Sequence, residues 1–140
     1  MIETNDIIIR LVLAAFLSAL LGIEREFKDK PAGLRTNILV GLGSSLIMII
    51  SLLFEFDSAR IAAGVVTGIG FIGGGLIIHG RSEVHGITTA AMVWVVSAIG
   101  LAVGTGYYLP AVVTTAIVLM TLYFFSDEFL RKFFKLDKQR

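Results

Sequence analysis

The chain is written in long apolar blocks separated by short polar ones. The first two blocks predict membrane spans over Ile7–Ile23 and Leu34–Phe54. A third, Ile61–Ile78, runs for 18 positions without a charge, enough for a helix to cross the roughly 30 Å hydrocarbon core of a bilayer. From Gly86 to Ser126 there is no Asp, Glu, Lys or Arg. That stretch is too long for one crossing, and the segment from Gly104 to Pro110 breaks it, with Tyr107 and Tyr108 suited to an interface. It divides into a fourth span over Thr88–Val103 and a fifth over Pro110–Phe125. Beyond it, Phe125, Phe129, Phe133 and Leu136 recur at helical spacing, while Arg131, Lys132 and Lys135 fall largely elsewhere on the wheel. This pattern predicts an amphipathic helix lying on the membrane surface. The expected architecture is all-α: a bundle of five transmembrane helices over residues 1–125 and a basic cytoplasmic tail over 126–140.

Glycine changes the picture of the third span. Gly64 and Gly68 are four apart, as are Gly70 and Gly74, and the two pairs lie on different faces of a helix. Glycine weakens a helix in water, but within a membrane it lets a second backbone approach closely. We therefore expect this helix at the centre of the bundle, with Gly64, Gly68, Gly70 and Gly74 as its packing positions. Ala14, Ser18 and Gly22 form a similar stripe on the first span. Gly68, Gly70 and Gly73 also spell a dinucleotide-binding fingerprint, but without the strand, helix and distant acid that such a site needs.

Composition agrees with a membrane protein. Only 16% of residues are charged, against about 25% in soluble domains, and the mean hydropathy is +0.87. There is no cysteine, which removes disulfides and thiolate chemistry. The opening residues carry Glu3 and Asp6 before Arg10, unlike the positive start of a cleavable leader. Arg10 is expected to snorkel or to pair with Asp6 one turn earlier. With five spans, ten of the twelve Lys and Arg residues fall on one side and only Arg10 and Arg60 on the other. Positive charge favours the cytoplasm, so the N-terminus is expected outside and the C-terminus inside.

The candidate chemistry sits at the rims of the spans. Glu24, Arg25 and Glu26 close the first, and Arg35 opens the second after Pro31 and Gly33 turn the chain. A Glu24–Arg35 pair is expected to fix this hairpin and leave Arg25 for a lipid phosphate or a partner. Asp57 is placed to cap the third helix near Arg60. Thr88 and Thr89 open the fourth, where their hydroxyls can satisfy its first N–H groups or frame an anion site. His79 and His85 have only Glu83 between them, too few ligands for a metal site, and no cofactor is expected. No Ser-His-Asp set, phosphate loop or zinc-hydrolase motif occurs, so the chain is read as a non-enzyme.

Three stretches together resemble the MgtC/SapB family of bacterial membrane proteins: GIEREFKDKPAGLRTN (22–37), DSARIAAGVVTGIGFIGGGLI (57–77) and HGITTAAMVWVVSAIGLAVGTG (85–106). The resemblance implies a five-helix membrane domain, often followed by a cytoplasmic regulatory domain, of which this chain looks like a short form. It implies a protein of the bacterial inner membrane linked to growth at low magnesium, survival inside host cells, restraint of the ATP synthase and phosphate homeostasis, without an established role in magnesium transport. It marks Glu24, Arg25, Pro31, Gly33, Leu34 and Arg35, then Asp57, Arg60, Gly68, Gly70 and Gly74, then Thr89 and Ala90. Two departures stand out. Gly64 replaces a frequent glutamine, and His79 and His85 stand where arginine is common. The leading expectation is a non-enzymatic membrane regulator, a homo-oligomer and most simply a dimer, that binds lipid and another membrane protein such as ATP synthase. The alternative is a small oligomeric transporter or channel for ions or protons.

Overall fold

A computed structural model describes residues 3–53, 57–79 and 84–125. The proposed tail, 126–140, lies outside the described residues, as do Glu55, Arg81 and Glu83. Among the described residues five helices alternate in direction: α1 (Thr4–Phe27), α2 (Leu34–Leu53), α3 (Ser58–Gly75), α4 (Ile87–Thr105) and α5 (Tyr108–Phe124). The chain is a membrane protein built as an all-α bundle. The first four helices are long and apolar enough to cross a bilayer, and α5 is a shorter apolar helix of 17 residues.

Helix ends differ from the sequence-based spans for local reasons. α1 runs beyond Ile7–Ile23 at both ends, where Asp6 pairs with Arg10 and Glu24 with Lys28, each one turn apart. Such pairs hold polar turns in helical form past the apolar block. α3 stops at Gly75, after three successive glycines, so Ile78 falls outside it. Ile78–His79 instead pairs antiparallel with Val84–His85 in a two-residue ladder. α5 begins before Pro110, which sits in the first turn, where no N–H is required of it.

The centre of the bundle is α4, not α3. α4 touches each of the other four helices and buries nine residues, among them Val93, Val96, Ile99 and Val103. Leu17 and Leu21 of α1 and Ala111 of α5 complete this core. The stripe on α1 packs as its spacing predicts. Ser18 lies against Gly41 of α2, and a Cβ built on Gly22 would stand 2.8 Å from the Leu34 Cα. α2 meets α4 just as closely, where Gly100 faces the Gly41 carbonyl and a Cβ on Gly104 would lie 2.7 Å from the Ser45 carbonyl oxygen.

The expected packing role of Gly64, Gly68, Gly70 and Gly74 is not met within the chain. Among the described residues, a Cβ added at any of them meets nothing within 4 Å. α3 buries only Ile69 and Gly73. It leans on α4 through Gly73, which faces Ala90, and turns its other glycines outward. The spacing signals close approach, but it carries no information about which helix approaches.

Candidate functional site: a basic cleft at one end of the bundle

α1, α3 and α5 finish, and α2 and α4 begin, at the same end of the bundle. Arg25 stands in the last turn of α1 and is 5% exposed. Its terminal nitrogens face two partners: one donates to the Thr89 hydroxyl at 3.2 Å, and the other lies 3.6 Å from the Glu24 carboxylate. Glu24 binds Lys28 more tightly, at 2.6 Å, and the Lys28 ammonium also donates to the Leu122 carbonyl at the end of α5. One cluster therefore ties α1 to both α4 and α5. Ion pairs at such a rim lose hydration, and directed hydrogen bonds offset the loss.

The hairpin between α1 and α2 is not fixed by Glu24 and Arg35. α1 persists past Glu24, so the Glu24 carboxylate meets Lys28 on its own helix, while Arg35 is exposed on α2. Glu26 does the joining instead, accepting from the Leu34 N–H at 2.9 Å. Asn37 reinforces it from within, its amide donating to the carbonyls of Ala32 and Gly33 at 2.5 and 2.8 Å. Sequence reasoning named Glu26 without this role and passed over Asn37. The signal available was a buried-type amide, Asn37, one turn into an otherwise apolar helix.

Arg25 is also not the free group expected. Because Thr89 turns inward and is 3% exposed, its hydroxyl accepts from Arg25 rather than capping α4. The N-cap of α4 is Gly86, with φ +89°, a left-handed backbone pressed against the Leu76 carbonyl where a side chain has no room. Among the described residues no side-chain cap is seen at this helix start. Thr88 remains exposed.

These groups border a cleft of about 720 Å³. Arg25, Lys28 and Lys30 line one side. His85, Thr88 and Thr89 line another, and Thr121, Leu122 and Phe125 close it from α5. Among the described residues its lining holds three permanent cations and no carboxylate. The side chain of His79 is not among those described. No group of three potential metal ligands occurs among the described residues.

The opposite end carries a smaller polar knot. Arg10 pairs with Asp6 at 2.6 Å and donates to the Gly104 carbonyl at 2.7 Å, and the Tyr108 hydroxyl donates to Asp6 at 2.9 Å. Tyr108 thus joins α5 to α1, a role its sequence position as an interfacial aromatic did not reveal. Asp57 caps α3, accepting from the Arg60 N–H at 3.2 Å, and the Arg60 side chain stays largely exposed.

Comparison with known proteins matches residues 11–129 to the model of the MgtC family. The chain is 42% identical over 134 residues to YhiD of Escherichia coli K12, whose name marks it provisionally as a magnesium transporter, covering 89% of this chain and 62% of YhiD. It is 35% identical to SapB of Bacillus subtilis, over 85% of this chain and 56% of SapB. With MgtC of Salmonella typhimurium LT2 it shares 42% identity, over 80% of this chain and 49% of that protein. The chain thus spans about half to three-fifths of these curated relatives. No solved structure matches it.

Proposed function

We propose a regulatory role for this chain, which belongs to the MgtC family. It is a non-enzymatic protein of the bacterial inner membrane that adjusts growth at low magnesium and phosphate balance, and with them survival inside host cells, by binding other membrane components. A homo-oligomer, most simply a dimer, is its working form, and ATP synthase is the protein partner to test first. The observation that supports this best is where charge is placed. Apart from the two rims, the described spans are uncharged, and the richest set of ionisable groups gathers in one cleft at the Arg25 end. The ten-to-two distribution of Lys and Arg supports a cleft that faces the cytoplasm and an N-terminus outside. The test is capture of partners from membranes grown in low and high magnesium. We expect ATP synthase subunits with the wild-type chain and fewer with Lys28→Gln, Lys30→Gln. Absence of any membrane partner in both conditions would sink the reading.

A second reading, a small oligomeric ion or proton transporter, draws on buried polar atoms among α1, α2 and α4. Ser18 Oγ, Asn37 Oδ1 and Ser45 Oγ are enclosed without a hydrogen-bond partner among the described residues, and intramembrane polar groups often mark a pathway. Proteoliposome flux of magnesium or protons that falls in Asn37→Ala would favour it over the regulator.

A further inference from the structure

We propose that the basic cleft binds a phosphoryl group, a tetrahedral oxyanion held between Arg25, Lys28 and Lys30 on one side and the start of α4 on the other. The inference rests on reading this cleft as the place where the regulator meets its ligand, and it names that ligand's chemistry. Three independent observations point to it. The first is charge: three cations line the cleft, and Glu24 is the one carboxylate bound to any of them among the described residues. The second is an unused donor. Arg25 is more than nine-tenths buried and borders the cleft, yet its Nε–H is enclosed without a partner among the described residues. A buried charged donor left unmatched is costly, and the guanidinium that carries it borders the cleft, where an oxyanion would draw on its charge. The third is the helix start. α4 has 19 residues, opens at a glycine that has no side chain to cap it, and together with the exposed Thr88 borders the same cleft.

The shape of the cleft narrows the ligand. A lone halide is a single point that cannot meet donors spread over two helices and a loop, whereas a phosphoryl group carries several oxygens. A second space of about 180 Å³ adjoins the cleft between α4 and α5, sharing Thr88, Thr121 and Leu122 with it. Its remaining lining is apolar: Ala91, Met92, Val95 and Val118. A polar head site beside an apolar slot fits a lipid phosphate with the start of its acyl chain. Free phosphate uses the head site alone.

The test uses the full chain purified in detergent, with two probes. One is inorganic phosphate. The other is mixed micelles containing phosphatidylglycerol, with phosphatidylcholine micelles as the comparison. Saturable phosphate binding assigns free phosphate. Preference for phosphatidylglycerol over phosphatidylcholine assigns the lipid headgroup. In either arm Lys28→Gln, Lys30→Gln should weaken binding about tenfold or more, the effect of losing a charged hydrogen bond. Lys30→Gln alone, at an exposed position where folding is not at stake, should weaken it measurably. Arg35→Gln, an exposed cation at the same end outside the cleft lining, should leave it unchanged. Absence of saturable binding and of lipid preference would overturn the proposal, and so would equal losses in Arg35→Gln and Lys30→Gln. Partner capture that persists without phosphoryl binding overturns this inference alone and leaves the regulatory reading standing.

Discussion

α3 and α4 are both glycine-bearing apolar helices of similar length, and they use glycine in opposite ways. In α4, Gly100 and Gly104 lie against the backbone of α2, at Gly41 and Ser45, where no side chain fits. In α3, Gly64, Gly68, Gly70 and Gly74 have open space where a side chain would go. The first arrangement brings two helices close enough for extensive dispersion contact, the main source of helix association in lipid. The second contributes nothing to this fold among the described residues, yet it keeps two faces of α3 narrow. Glycine at helical spacing therefore marks a surface that a backbone can approach. Whether the approaching backbone belongs to the same chain is decided elsewhere.

The largest expected effect comes from filling the occupied face. Gly100→Leu places a side chain into the Gly41 carbonyl and Ser44. Overpacking of this kind costs on the order of 3 kcal/mol, and here backbone has to move. Thermal melting in detergent should show the loss, with a broadened elution profile. Normal melting would mean that α2 and α4 do not lie as close as described. Arg25→Gln follows in size. It removes the buried guanidinium that holds Thr89 and leaves an amide beside Glu24. We expect a loss of about 2 kcal/mol, typical of a hydrogen bond to a charged group. An unchanged melting point would return Arg25 to the free role that its sequence position alone implies.

Much of this contrast was legible in the sequence and part was not. Apolar block lengths predicted five helices in the right order, because bilayer thickness fixes how many residues a span needs. The Ala14, Ser18, Gly22 stripe read correctly because α1 leads into α2 through a short hairpin that forces the two together. The glycines of α3 misled because spacing is a property of one helix, whereas burial depends on all its neighbours. The site was legible as a region: Glu24, Arg25, Thr88 and Thr89 do gather at one end. Their partners were not. Pairing depends on where α1 stops, and one extra turn gave Glu24 to Lys28 and left Glu26 to hold the hairpin.

The rim opposite the cleft offers a smaller test. Tyr108→Phe removes the hydroxyl that donates to Asp6 but keeps the ring and the Asp6–Arg10 pair. The expected loss is about 1 kcal/mol, the ordinary net value of one hydrogen bond. Combining it with Arg10→Gln should give less than the sum of the two losses, since both act through Asp6. Strict additivity would show that Tyr108 does not share that carboxylate.

The smallest effect on the chain itself is expected at Gly68, and it bears most directly on the comparison. Leucine at Gly68 enters the open groove that Gly64, Val65, Gly68 and Ile69 line with α2, at a position where an added Cβ meets nothing within 4 Å. An exposed substitution that displaces nothing changes stability by about 0.5 kcal/mol at most, so Gly68→Leu should melt close to the wild type. Self-association is a separate matter. If a second copy approaches along α3, as the proposed dimer requires of a narrow face, the added side chain holds the two helices apart. Elution should then shift to the monomer while the melting point stays put. Unchanged melting with unchanged size would remove α3 as the contact between copies. A melting loss as large as that of Gly100→Leu would show that the glycines of α3 pack within the chain after all, and the distinction between the two helices would fall.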